Sequence, residues 1–121
     1  MTERRAIAIV ADLMFRSRIE ANAAGTGWRV DVADGPATAA EALARPADLV
    51  LVDLHTPGID IAAVVAAASG APVVAFGRHT EPATLRAARE AGCAKVLARS
   101  EFVEALPALF AAEAPRPGVA R

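Results

Sequence analysis

Four branched apolar residues, Leu49-Val50-Leu51-Val52, run into Asp53 and then into Leu54-His55-Thr56-Pro57-Gly58. A short unbroken apolar run bounded by turn residues reads as a strand buried on both faces. Such strands belong to parallel sheets covered by helices, and this decides the fold class. An acid at the exit of such a strand stands on the carboxyl edge of the sheet. Open α/β folds place their sites there. Pro57 and Gly58 are expected to turn the chain and hold Asp53 at that rim.

Similar runs recur along the chain, separated by helix-length segments. Strands are expected at Ala6 to Val10, Trp28 to Val32, Leu49 to Val52, Val73 to Phe76 and Lys95 to Leu97. The second carries Asp31 between two valines, which suits an edge. Helices are expected from about Leu13 to Ala24, Ala37 to Ala44, Ile61 to Ala68, Pro82 to Ala91, and from after Ser100 to about Glu113. In the first, Phe15, Ile19 and Ala23 share one face. Thr80 and Ser100 are expected to cap the last two helices, with Gly92 ending the fourth. Pro107 should kink the fifth helix or delay its start. Five βα units with right-handed crossovers give an α/β, (βα)5 doubly wound parallel sheet of order 2-1-3-4-5. Residues 1–113 form the domain, and 114–121, with Pro115, Pro117 and Gly118, read as a flexible C-terminal tail.

Composition narrows the function. The chain has 121 residues, enough for one domain with a real core, and alanine supplies much of its 55% apolar content. A net charge of −1 from 13 basic and 14 acidic residues leaves no field for nucleic acid. Four Phe, one Trp and no Tyr make a base-stacking platform improbable. One cysteine excludes an internal disulfide and fits a reducing compartment. Cys93 has no cysteine or histidine near it in sequence and reads as a small buried residue. The apolar run after Arg5 is too short for a signal peptide, and no stretch approaches a membrane span. A cytoplasmic protein is expected. No G-x-S-x-G, P-loop or G-x-G-x-x-G occurs.

The strand order puts the exits of strands one, three and four side by side. Those exits carry Ala11-Asp12, Asp53 with His55, and Gly77-Arg78-His79, with Arg99 reaching in after strand five. Arg16, one turn into helix one, is expected on the same rim. Here the chain resembles the receiver domains of two-component response regulators, the CheY-like, flavodoxin-type fold. The resemblance covers about residues 5 to 113. It rests on Val10-Ala11-Asp12, on Asp53-Leu54-His55-Thr56-Pro57-Gly58, and on Glu81-Pro82-Ala83-Thr84-Leu85 through Glu90-Ala91-Gly92-Cys93.

The resemblance implies that Asp53 is the phosphoacceptor, supplied by a histidine kinase. It also implies that Asp12, Asp53 and the backbone carbonyl of His55 are ligands for Mg²⁺. In the family a hydroxyl and a lysine bind the phosphoryl oxygens, and an aromatic switch residue follows. Here Ala11 replaces the first of two adjacent acids, Gly77 the hydroxyl, Arg99 the lysine and Val96 the aromatic residue. The hydroxyl-to-aromatic relay cannot run in its usual form. Arg99 suits bidentate pairing with a phosphoryl group or with the Asp53 carboxylate itself.

The reading is an atypical, stand-alone receiver acting through protein–protein contacts, with a histidine kinase or downstream effector as partner. It is not an enzyme beyond autocatalytic phosphoryl transfer to Asp53. Helix three is uncharged and helix five largely apolar, so a homodimer through helices four and five or helix three is expected, with no nucleic acid and no membrane. The alternative is a small metal-binding or phosphatase-like enzyme using Asp53 with His55 and His79. Asp53-Leu54-His55-Thr56 is similar to the Asp-x-Asp-x-Thr signature of haloacid-dehalogenase-type phosphatases, although that motif follows a first strand.

Overall fold

A computed structural model describes residues 3–111. The elements alternate throughout: β1 (Arg4–Ile9), α1 (Leu13–Ala23), β2 (Trp28–Ala33), α2 (Pro36–Leu43), β3 (Leu49–Asp53), α3 (Ile61–Ala67), β4 (Val73–Gly77), α4 (Pro82–Glu90), β5 (Lys95–Ala98) and α5 (Arg99–Leu109). All strand pairs are parallel, in the order β2-β1-β3-β4-β5. The expected architecture is therefore the observed one, and β2 is an edge.

Both faces of the sheet are covered. On one face Ala6, Ala8, Val10, Leu49, Leu51, Val74 and Phe76 meet Ile19 and Ala23 of α1 and Phe102, Leu106 and Phe110 of α5 and its cap. Phe76 and Phe102 stack at 3.8 Å between centroids, and Phe15 lies 5.1 Å from Phe76 at a tilt. On the other face Ile7, Ile9, Val50, Val52 and Val73 pack on Ala33, on Ala39 of α2, and on Val64 and Ala68 of α3 and its cap. Helix α4 covers β4 and β5 through Leu85 and Ala88.

The edge acid is used structurally. Asp31 accepts a 2.7 Å hydrogen bond from Arg5 Nε, and Arg29 and Arg45 lie within ion-pair range. The rest of the Arg5 guanidinium donates to the carbonyls of Ala42, Arg45 and Pro46, so one side chain ties β1, β2 and the end of α2 together. The Arg5 hydrogen bond, opposed in part by burial, holds the Asp31 carboxyl below the usual carboxylate range.

Two caps differ from expectation. Pro82 is the first residue of α4 and forces its predecessor out of helical geometry, so Glu81 and not Thr80 takes the cap position. Helix α5 starts at Arg99, ahead of Ser100, because Glu101 reaches back to accept the Ala98 N–H at 2.8 Å. Pro107 sits inside α5 without delaying its start, and the helix ends at Leu109. Glu113 and the 114–121 tail lie outside the described residues.

Candidate functional site

Asp53 is the last residue of β3, in register with Phe76 of β4 and only 3% exposed. Its own turn holds it there. Oδ1 accepts the His55 N–H at 2.9 Å, and the Asp53 carbonyl accepts the Thr56 N–H at 3.0 Å. This is a side-chain and a backbone turn on one residue. Thr56 is buried and donates its hydroxyl to the Ile9 carbonyl at 3.4 Å, tying the loop to the end of β1. Pro57 and Gly58 lie farther out. Gly58 has φ +77°, and a Cβ there would stand 3.1 Å from Pro36 Cγ, so this position needs glycine. The Asp53 Oδ2 accepts from no protein group among the described residues.

At the exit of β1, Ala11 and Asp12 are exposed. Asp12 caps α1: its Oδ1 accepts the N–H groups of Met14 at 2.8 Å and Phe15 at 3.2 Å. Arg16 is half-buried, and its N–H continues the helix onto the Asp12 carbonyl. Among the described residues it makes no ion pair with Asp12 or Asp53.

At the exit of β4 the space beside Gly77 is filled. A Cβ on Gly77 would lie 3.2 Å from His55 Nε2, 3.3 Å from Leu85 Cδ2 and 3.5 Å from Leu54 Cδ1. The His55 ring is held in that position because Nε2 accepts the Arg78 N–H at 3.0 Å. In the neutral ring the proton is then on Nδ1. The Arg78 guanidinium bonds Glu81 at 3.2 Å, and His79 is exposed. Among the described residues no group of three or more His, Cys, Asp or Glu could hold a metal ion. The alternative grouping of Asp53 with His55 and His79 is therefore not assembled as a metal site among the described residues, and His55 Nε2 is engaged by the Arg78 amide.

Arg99 does not pair with Asp53 in this structure. As the first residue of α5 its side chain lies over α1, with the guanidinium carbon 5.2 Å from the Phe15 ring centroid. Its Nε is sealed from solvent with no hydrogen-bond partner among the described residues. Val96, in register with Ala75, is half-buried. Cys93 is a free thiol whose pKa burial pushes up, which suits a packing residue and not a reactive one.

Asp12, Asp53 and the His55 carbonyl are oxygen donors at the exits of the neighbouring strands β1 and β3. That chemistry suits a hard cation that keeps most of its waters. Ala11 leaves the set one carboxylate short of the usual acidic pair, and Asp12 already spends one oxygen on its helix. Thr56 and Phe15 are the site neighbours that sequence reasoning left out of the site. The offset of Thr56, three residues after the strand-end acid, was the available signal for the first. Phe15 read only as core.

No protein-family model matches the chain, and no curated protein sequence matches it. Solved structures do. A response regulator of Burkholderia pseudomallei, solved with a phosphorylated aspartic acid, calcium ion and citrate, superposes with TM-score 0.76 at 20% identity over 93% of this chain and 69% of its own. The receiver domain of the sensor histidine kinase PA1611 of Pseudomonas aeruginosa has magnesium in its active-site cleft. It gives 0.71 at 17% identity over 90% and 98%. The signal receiver domain of NarL from Mycobacterium tuberculosis gives 0.68 at 26% identity over 91% and 98%. The likeness is one of fold.

Proposed function

We propose that this chain, which has the CheY-like fold of response-regulator receiver domains, is an atypical receiver whose phosphoacceptor is Asp53. One observation carries the reading. A buried carboxylate stands at the end of the central strand β3 with one oxygen fixed by the His55 amide and the other unclaimed among the described residues. Oδ2 attacks the phosphorus of an acyl phosphate in line. The bond from phosphorus to the leaving oxygen breaks, and its electron pair departs with the carboxylate product, leaving an aspartyl phosphate. With a phosphohistidine donor the broken bond is P–N and the departing imidazole takes up a proton. Asp12, Asp53 and the His55 carbonyl would hold Mg²⁺, which supplies positive charge against the transferring phosphoryl oxygens.

The readout differs from the usual relay, because Gly77 has no hydroxyl to move and Val96 no ring. Arg99, the first residue of α5, is a cation held only over the Phe15 ring, and its Nε, without a partner among the described residues, supports its recruitment by a phosphoryl oxygen. The module acts by binding other proteins, a histidine kinase upstream and an effector or a second copy downstream. No helix among the described residues is long and apolar enough to cross a membrane.

The test is intact-mass spectrometry after incubation with acetyl phosphate and Mg²⁺. One phosphoryl adduct is expected on the wild type and none on Asp53→Asn, and chelating the metal should abolish the wild-type adduct. A wild-type spectrum unchanged at saturating donor overturns the phosphoacceptor reading. An adduct retained by Asp53→Asn moves the site elsewhere.

A further inference from the structure

The geometry points to His55 as an internal stopper of the Asp53 site. We infer that its imidazole occupies the place an anion's oxygen would take at the exit of β4. The inference deepens the reading above and rests on it for the identity of the anion, a phosphoryl group. The residue touches both poles of the site. Its backbone N–H donates to Asp53 Oδ1 at 2.9 Å, and its ring nitrogen accepts the Arg78 N–H at 3.0 Å. A backbone N–H at the exit of the strand beside β3 can serve an anion's oxygen, and here a neutral acceptor of the chain's own has taken it. The ring also fills the volume next to Gly77, to within 3.2 Å of where a Cβ would stand, with Leu54 and Leu85 closing the remaining sides. Any side chain at 77 would press its Cβ on the ring and on Leu85, so glycine leaves the ring the most room. The pair is complementary: an imidazole on the β3 exit and no side chain on β4. The ring must leave before a phosphoryl oxygen can reach the Arg78 amide.

The inference is tested without depending on phosphorylation by working in an Asp53→Asn background, with inorganic phosphate as the probe and the Arg78 amide followed by NMR. Asp53→Asn/His55→Ala is expected to bind phosphate about fivefold to tenfold more tightly than Asp53→Asn, the range set by freeing one ordinary hydrogen bond. His55→Gln, which keeps an acceptor of similar reach, should stay near the weaker value. Equal affinities for His55→Ala and its parent overturn the stopper. A second readout is the melting temperature of Gly77→Ser, expected to fall clearly with His55 present and far less in His55→Ala. Equal falls in both backgrounds also overturn it. With acetyl phosphate, the His55→Ala adduct should form faster than the wild-type one by a similar factor, and equal rates count against gating. If no variant forms an adduct, the phosphoacceptor reading fails, while the phosphate titration still decides the stopper.

Discussion

Phe102→Ala is expected to cost about 3–5 kcal/mol, the range for truncating a fully buried aromatic ring. Phe102 has no exposed surface, stacks on Phe76 at 3.8 Å and lies 6.5 Å from Phe15. With Leu106 and Phe110 it is what fastens α5 to the sheet. Domains of this size are stable by only about 5–15 kcal/mol, so one truncation removes a large share of the total. The variant should melt more than about 10 °C below the wild type in a thermal scan. Phe102→Leu, which keeps most of the volume, should cost less than about half as much. A loss under about 1 kcal/mol for the alanine variant in urea titration would mean that the stack is not sealed as described. Phe102 also underpins the ring on which Arg99 rests, so Arg99 should become more mobile in the leucine variant.

Removing Arg5 should have the next largest effect. The side chain is 12% exposed and spends its guanidinium donors on Asp31 and on three carbonyls at the end of α2. Arg5→Met keeps the aliphatic stem and deletes every one of those bonds, leaving Asp31 with only the more exposed Arg29 and Arg45. The expected loss is about 2–4 kcal/mol, within the range for breaking a largely buried pair by removing one partner. Asp31→Asn should cost less, because Arg5 keeps its carbonyl partners. Acid distinguishes the two variants. The Asp31 pKa is lowered on folding from 3.8, so its stabilisation is fully present above that value and is lost as pH falls through the lower folded-state pKa. The gap between wild type and Asp31→Asn should therefore be constant near neutrality and close below pH 3.8. The Arg5→Met deficit should persist in part, since carbonyls do not titrate. A gap that closes well above that pH would assign the effect to another group.

Most of the fold was legible because its signals are local. Apolar runs of strand length, glycine stops and prolines at helix starts identified ten elements in the right order, and parallel topology leaves few ways to wind them. Asp31 was readable as an edge residue because an acid flanked by valines fits nowhere else in a buried sheet. The errors lie where one residue's side chain competes with another's for a backbone group. Thr80 lost the α4 cap to the conformational demand of Pro82 on Glu81, and Ser100 lost the α5 start to Glu101, which satisfies the Ala98 amide from three residues away. The site was legible as a set of strand exits and not as a set of contacts. Which partner Arg99 chooses depends on α5 beginning two residues early and on Phe15 lying on the neighbouring helix, two facts about tertiary placement. The same holds for His55, whose ring could be read as a loop histidine until the empty Cβ position of Gly77 was set beside it.

The way β1 meets the two cores has a consequence for how the chain finds its alignment. Residues 6–10 are all fully buried, so after Arg5 no polar side chain tells the strand which way to face. What differs is bulk. Ala6 and Ala8 look toward the rings of Phe76, Phe102 and Phe110, while Ile7 and Ile9 look toward the small side chains of Ala33, Ala39 and Ala68. A shift of β1 by one position would set isoleucines against aromatic rings and alanines against alanines, crowding one layer and hollowing the other. Beyond the bonds of Arg5 to Asp31 and to the end of α2, alignment is therefore enforced by volume. Exchanging Ala8 with Ile9 would leave composition, charge and hydropathy untouched and still remove the difference in bulk between the two faces of β1.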